Sequence, residues 1–491
     1  LSAHAKAVAK LSISSAVAIV SQIAKGKIGA VVLGPAGMGV LSQLKYLWNL
    51  LHFLFGLGFY NGLVRHVAEA NANNDPKRVR EQISTLLCII SVICLTGSLV
   101  AMFCAESISL LLFPNDDHTG LVLIVLLAVP LAVTARMYKG ILSAYKNVQG
   151  IVVSQVTADA LSVVTFGILT YSHGVSGAAI ALVVYHATRA ILNVTIACRS
   201  HGARHVIPRM ANFSISIIGE NLSFSAVSMI IMPTSILTSI LVSRWIIAAY
   251  GTTANGVFAA AWLVSSVYLR ILYESASSYL LPVLASSKSN VDLNIQLDKA
   301  LRLYMLLVPP VVILLVTTGE LAISAMFSRD FSQSGELLVW LLPADLLRII
   351  SETIGLSMLA NNRLKAYLFP YLCRAATYLL LSQFTLIEHG LSGICYAYAG
   401  SHTLYVLLQL GFARRLFGYW PSSRASRIII RGILCSLVAA FLTTQFPTII
   451  ARLATLFCVL GFWTLQSMRE PEAIQLLQFI RRKFAGTKPK T

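Results

Sequence analysis

The sequence predicts an all-α, polytopic membrane protein of about 14 transmembrane helices, built as two parallel six-helix lobes plus a C-terminal helix pair. Three observations predict it. The chain is 57% hydrophobic and only 12% charged over 491 residues, about half the charge of an average soluble domain. Apolar runs of about 20 residues, enough to cross a hydrocarbon core of ~30 Å, recur from end to end. Basic residues collect in alternate loops.

The runs read as spans 9–33, 39–64, 82–104, 120–143, 150–172, 176–199, 223–250, 254–286, 300–327, 336–360, 366–388, 391–416, 426–446 and 447–467. When their loops are placed alternately on two sides, one side receives Lys6 and Lys10, then Arg65, Lys77, Arg78 and Arg80. Arg136, Lys139, Lys146, Arg199, Arg204 and Arg209 fall there too, and so does nearly every later basic cluster, down to Arg481, Arg482 and Lys483. The other side receives little beyond Arg329 and Arg452, with Glu106, Asp116 and Asp117. The positive-inside rule then places both termini in the cytoplasm and accounts for the net charge of +19 without nucleic acid. No charged n-region with a cleavage site precedes the first span, so that helix is expected to act as its own insertion signal.

The chain repeats itself. His173-Gly174-Val175-Ser176-Gly177 aligns with His389-Gly390-Leu391-Ser392-Gly393, and the same register sets His186 on His402. Gly34-x4-Gly39-Val40 independently aligns with Gly251-x4-Gly256-Val257, at nearly the same offset of about 217 residues. Six spans per repeat is an even number, so both repeats enter from one side and are parallel. Such transporters place substrate between their halves. The domains are therefore expected at 1–210, 211–417 and 418–491, the last being two extra helices and a basic amphipathic tail lying on anionic lipid.

Charges inside spans are costly and need a partner, a polar cavity or an escape to the interface. The basic ones are Lys25, Lys27, Lys45, Arg189, Arg244, Arg270, Arg348 and Arg374; the acidic ones are Asp159, Glu274, Asp345 and Glu352. Arg270 and Glu274 are spaced i, i+4, and Asp345, Arg348 and Glu352 share one helix face, so both sets can neutralise locally. Lys25, Lys27, Lys45, Arg189 and Arg374 have no acid at helical spacing. Lys27 falls on Arg244 in the repeat register, one cation at equal depth in each half. The cationic set (Lys25, Lys27, Lys45, Arg189, Arg244, Arg270 and Arg374) is expected to line a cavity for an anionic cargo, with phosphate or diphosphate the natural group. Snorkelling to the headgroups is the competing reading for Lys27, Lys45 and Arg244. Asp159, Glu274, Asp345 and Glu352 are candidates for taking up H⁺ or Na⁺.

No cofactor, metal or catalytic constellation is expected. The eight cysteines form no C-x-x-C pair and read as small core residues. His201 and His205 lack a nearby carboxylate, and no Walker lysine loop is present.

Lys27-Ile-Gly-Ala-Val-Val-Leu-Gly-Pro-Ala-Gly-Met-Gly-Val40, followed by Gly58-Phe-Tyr-Asn-Gly62 and a basic loop, resembles the opening of bacterial Wzx-type O-antigen and polysaccharide flippases. These belong to the multidrug/oligosaccharidyl-lipid/polysaccharide exporter superfamily. Tyr279-Leu-Leu-Pro-Val-Leu284 and the glycine-led sixth and twelfth spans also look like that family, over roughly residues 1–416. The resemblance implies no enzyme. It implies a flippase of the inner membrane that carries undecaprenyl-diphosphate-linked oligosaccharide to the periplasmic leaflet, coupled to an ion gradient. The cationic character carried over from the family falls on Lys25, Lys27, Lys45 and Arg270. The extra helix pair resembles fourteen-span lipid II flippases, which keeps that cargo as an alternative. A drug or cation antiporter of the same fold would want an acidic cavity. A membrane glycosyltransferase or ligase would need a long polar catalytic loop, which the sequence lacks.

Overall fold

A computed structural model describes residues 3–202, 206–275, 279–472 and 474; the side chains of 3–9, 11–12, 222–226 and 270–275 lie outside that description. The described helices are α1 (Ala3–Phe55), α2 (Tyr60–Ala72), α3 (Pro76–Phe103), α4 (Ala105–Leu112), α5 (Thr119–Ala144), α6 (Val148–His201) and α7 (Ser216–Ser275). They continue as α8 (Leu281–Ala285), α9 (Asn290–Met326), α10 (Ser332–Ala360), α11 (Leu364–Phe417), α12 (Ser423–Gln445) and α13 (Ile449–Ser467). Local chemistry sets several starts. Asp75 caps α3 by accepting from Arg78 N at 2.9 Å, with Pro76 in the first turn. Asn147 caps α6 through Gly150 N at 2.9 Å, and Ser422 caps α12 through Ala425 N at 3.1 Å.

Four helices are too long for one crossing: α1 has 53 residues, α6 54, α7 60 and α11 54. A straight helix of that length would run about 80 Å. Each is broken at one glycine of positive φ: Gly34 at 64°, Gly174 at 58°, Gly251 at 79° and Gly390 at 59°. Their ψ values place them in or beside a region that only glycine enters without strain. The chain then doubles back. Asn147 Nδ2 donates to Ser200 Oγ at 3.1 Å, so the two ends of α6 meet. In α11 Thr385 Oγ1 donates to the Gly393 carbonyl at 2.7 Å, and the rings of Tyr378 and Tyr398 lie 5.9 Å apart. With α1, α6, α7 and α11 as hairpins and α3, α5, α9, α10, α12 and α13 as single spans, the chain makes about fourteen crossings, as its hydropathy predicts. It is a multi-pass membrane protein.

The glycine turns bear out the repeat. Gly34 and Gly251 occupy one register, Gly174 and Gly390 the other. A Cβ at Gly177 would collide with the Leu169 carbonyl, and one at Gly393 with the Thr385 carbonyl, the same close approach one repeat later.

Contacts divide the chain into two compact units. The first comprises residues 1–259 with 326–330; the second comprises 260–325 and 331–491. The contact boundary therefore falls inside α7, whereas the repeat boundary falls before it, because the first half of α7 packs with the first repeat. In the first unit α1, α5 and α6 pack together, with α2 and α3 beside them. Phe59, Leu63, Ile83, Leu86, Val133 and Met137 fill that core. In the second unit α10 packs on α11, α8 and α12, and α12 pairs with α13. Leu95, Leu99, Phe103 and Ile168 of the first unit, and Phe384, Leu407, Phe441 and Phe457 of the second, stand exposed. Such apolar surface suits hydrocarbon rather than water.

The extra helix pair is tied to the second repeat by charge. Asp298 accepts from Ser422 N at 2.9 Å, Ser422 Oγ at 2.8 Å and Arg302 at 2.8 Å. Arg302 also pairs with Glu472 at 2.9 Å, and Arg452 with Glu320 at 2.6 Å. The amphipathic tail beyond residue 474 lies outside the described residues.

Candidate functional site

In the first unit α1, α5 and α6 surround a cavity of about 310 Å³. Trp48, His52, Tyr60, Ala132, Ala135, Arg136, Lys139, His186 and Arg189 line it. Three of these are cations, and no carboxylate is among them. Trp48 stacks between two imidazoles, with ring centres 5.1 Å from His52 and 4.5 Å from His186. Arg136 lies over the rings of Phe53 at 5.5 Å and Tyr60 at 5.4 Å. The aromatic walls hold these groups while leaving polar nitrogens unused: the donors Trp48 Nε1 and Arg189 Nε are buried without a hydrogen-bond partner, and so is the ring nitrogen His186 Nε2. Buried orphan donors are rare in proteins and point to a ligand that accepts.

Arg189 connects this cavity to a second cluster. Its NH1 donates to Tyr185 OH at 3.3 Å, and Tyr185 OH donates to Asp159 Oδ1 at 3.1 Å. Lys25 lies over the same Tyr185 ring at 5.0 Å and donates to Ser162 Oγ at 2.9 Å. Lys25, Asp159 and Arg189 are thus gathered by one tyrosine, though they come from two hairpins. Asp159 is buried, and its Oδ2 accepts no hydrogen bond. Lys45 stands exposed on the second half of α1, within Coulombic range of Lys25.

The structure sets Lys27 and Arg244 elsewhere. Lys27 Nζ donates to the Phe327 carbonyl and Arg244 Nε to the Leu111 carbonyl, the latter at 2.7 Å. Both reach backbone oxygens at helix ends.

In the second unit Asp345 is fully buried. Its Oδ2 accepts from Ser265 at 2.7 Å and Tyr268 at 2.6 Å, and its Oδ1 from Tyr398 at 2.9 Å. Arg348 pairs with Glu352 at 3.0 Å, as their spacing predicts, and also donates to Tyr398 OH at 3.4 Å. Arg374 lies over Tyr371 at 4.8 Å and Tyr405 at 5.9 Å. His402, the repeat partner of His186, is buried against Tyr398 with ring centres 4.5 Å apart. Arg270 and Glu274 belong to α7, but their side chains lie outside the described residues.

Sequence reasoning missed Arg136 and Lys139 as site residues because both count equally well as loop charges under the positive-inside rule. The signal lay in position: α5 runs on to Ala144, which keeps both inside its last three turns. Trp48, His52 and Tyr185 carried no charge signal at all.

The sequence profile described as "Polysaccharide biosynthesis protein" matches residues 30–336 of this chain. The chain belongs to that family. Among curated proteins, this polysaccharide biosynthesis family member is similar to the lipid III flippase of Escherichia coli (strain K12). They are 23% identical over 407 residues, which is 83% of this chain and 97% of the relative. Among solved structures it resembles the lipid II flippase MurJ in an inward closed conformation, with a TM-score of 0.68 and 14% identity, covering 93% of this chain and 97% of that one. It also resembles an inward-facing multidrug resistance MATE transporter of the MOP superfamily, with a TM-score of 0.69 and 16% identity, covering 86% and 98%. These structures share its fold. The resemblance to polysaccharide exporters of that superfamily, carried by Lys27–Val40, is borne out.

Proposed function

We propose that this chain is a flippase that carries an undecaprenyl-diphosphate-linked oligosaccharide, an O-antigen or related surface-polysaccharide unit, from the cytoplasmic to the periplasmic leaflet of the inner membrane. The observation that carries this reading is the cavity of Arg136, Lys139 and Arg189, with orphan donors on Trp48 and Arg189 and no carboxylate in its lining. A diphosphate accepts many hydrogen bonds and carries the charge that three cations would neutralise. The flat faces of Trp48, His52 and Tyr60 suit the apolar faces of sugar rings. Membership of the polysaccharide biosynthesis family and the similarity to a lipid III flippase support the same class of cargo. A cationic drug is disfavoured by like charge in such a cavity.

Transport follows by alternating access, in which the diphosphate leaves water for fixed cations and the lipid tail stays in the bilayer. Both termini face the cytoplasm on this reading, since the positive-inside rule assigns the basic loops and the basic terminal sequences to one side. The buried carboxylates Asp159 and Asp345 are the candidates for coupling to H⁺ or Na⁺. Glu352 is held by Arg348 and fits that role less well.

The test is flipping of a fluorescent undecaprenyl-diphosphate oligosaccharide in reconstituted vesicles, with and without a proton gradient. Protein-dependent movement that is lost in Arg136→Ala and Arg189→Ala is the expected result. Equal movement of a neutral undecaprenol glycoside would overturn the diphosphate reading.

A further inference from the structure

The register that sets His186 on His402 also compares the cavity lining of the first unit with the second unit. Arg136 falls on Glu352, Lys139 on Gly355 and Arg189 on Tyr405, each about 216 residues later. Ala144, where α5 ends, falls on Ala360, where α10 ends, so Arg136 and Glu352 lie at one depth, about two turns inside. All three cavity cations are thus replaced. A carboxylate, a bare backbone position and a phenol stand in their places, while the histidine is kept.

The second unit gathers polar groups there. The space at Gly355 is taken by two side chains: a Cβ would lie 3.1 Å from Gln409 Nε2 and 3.3 Å from Tyr367 Cε2. The rings of Tyr371 and Tyr405 stand 6.4 Å apart, edge to face, and Arg374 lies over both. A guanidinium seated on ring faces keeps its N–H groups for acceptors. His402 lies 6.1 Å from the Tyr405 ring and is 1% exposed, and neither of its ring nitrogens has a hydrogen-bond partner. Glu352, bonded through Oε1 to Arg348, remains 33% exposed.

These groups do not suit phosphate, which only accepts and which Glu352 would repel. A neutral imidazole offers one donor and one acceptor, and the cluster as a whole mixes them: Arg374 donates, Glu352 accepts and the Gln409 amide does both. A hydroxyl also does both. The tyrosine rings add flat apolar faces of the kind that sugar rings pack against. Arg374 disfavours a cationic ligand, and the Arg348–Glu352 pair is neutral. We propose that this cluster is a carbohydrate subsite of the second unit, in which Glu352 accepts from ring hydroxyls, Arg374 donates to them and His402 is satisfied at the buried end. The choice of a sugar as ligand rests on the flippase reading. The subsite needs no diphosphate, because the three cations that would hold one have no counterpart in it.

The test uses sugars that carry neither lipid nor phosphate. Full-length protein in lipid nanodiscs, free of glycoside detergent, is titrated with the methyl glycosides of N-acetylglucosamine, galactose and glucose, read by saturation-transfer NMR. Pyrophosphate is titrated into the same preparations by calorimetry. At least one glycoside is expected to bind the parent. Glu352→Gln and Arg374→Gln are each expected to weaken it about tenfold, as for loss of a hydrogen bond to a charged group, with the melting temperature retained. Arg374→Lys keeps the charge over the rings and replaces Arg374→Gln if that variant fails to fold. Binding of no glycoside by the parent, which would leave His402 to an ordered water, overturns the subsite. So does parent-like glycoside binding in the folded Glu352 and Arg374 variants. Pyrophosphate separates the two readings: glycoside bound without pyrophosphate faults the diphosphate cavity alone, and pyrophosphate bound without glycoside faults the subsite alone.

Discussion

Arg189 donates to the hydroxyl of Tyr185 at 3.3 Å, and that hydroxyl donates in turn to Asp159 Oδ1 at 3.1 Å. One tyrosine thus joins the cation that lines the cavity to the nearest buried acid. It sets the direction of the guanidinium and fills one oxygen of the carboxylate. Tyr185→Phe removes both bonds and keeps the ring that Lys25 lies over. Leaving a buried polar group unpaired costs about 1–3 kcal/mol. Flipping should fall about tenfold in this variant, with folding retained in a detergent melting curve. Parent-like flipping would show that the tyrosine bridge is irrelevant to transport.

Arg136→Ala and Lys139→Ala each remove one cation from the cavity. A hydrogen bond to a charged group contributes about 1.5–3 kcal/mol, so each should weaken binding of inorganic pyrophosphate about tenfold or more, read by calorimetry. Arg136→Lys keeps the charge but loses the planar fork that covers Phe53 and Tyr60, and should fall between. If Arg136→Ala binds pyrophosphate like the parent, Arg136 does not hold the anion.

Asp345 accepts from three hydroxyls, those of Ser265, Tyr268 and Tyr398. Asp345→Leu removes that acceptor from all three and should lower stability by about 3 kcal/mol or more. Asp345→Asn keeps the shape and an acceptor oxygen but can no longer take up a proton. Its flipping should lose dependence on a proton gradient while a basal rate persists. Full gradient dependence in Asp345→Asn would shift the coupling role to Asp159, whose Oδ2 is unpaired.

Gly174→Ala and Gly390→Ala test the hairpin turns. Both glycines have space around a Cβ, so the penalty is purely conformational. Positive φ with ψ near −134° and −144° should cost about 1–3 kcal/mol at each site. The two variants should lower the melting temperature by similar amounts, since they are one position in two repeats. A large effect at one site alone would argue against equivalent turns.

Ending the chain after Phe417 removes α12 and α13 and leaves Asp298 without Ser422, and Arg302 without Glu472. The first repeat makes none of these contacts. The truncated protein should still insert and keep the cavity side chains in place, with a melting temperature lowered mainly through the second unit. Asp298→Asn in the full chain should reproduce part of that loss.

Much of the fold was legible in the sequence because bilayer thickness and backbone hydrogen bonding leave few solutions. Twenty apolar residues must cross, and an even number of crossings returns the chain to its starting side. The glycines of the two repeat motifs were legible for a local reason. A one-residue reversal between helices demands a φ that a side chain forbids, so Gly34, Gly174, Gly251 and Gly390 had to be glycine. The pairing of Arg348 with Glu352 was legible because i, i+4 neighbours meet on any helix.

The partners of the remaining intramembrane charges were not legible. Lys25 meets Ser162, and Arg189 meets Asp159 through Tyr185, across hairpins that no sequence spacing relates. Lys27 and Arg244 were matched correctly by register, yet their depth alone suited a cavity cation as well as a cap on a distant carbonyl. Arg136 and Lys139 looked like loop charges until α5 was seen to carry them beside His186. By itself the sequence determined the membrane class, the crossings, the repeat and its glycine turns, all of which follow from local geometry and the cost of bare backbone in lipid. Tertiary structure alone decided which cations share a cavity and which reach distant backbone carbonyls, because a charge in a low-dielectric interior is defined by whatever the fold brings within a few ångströms of it.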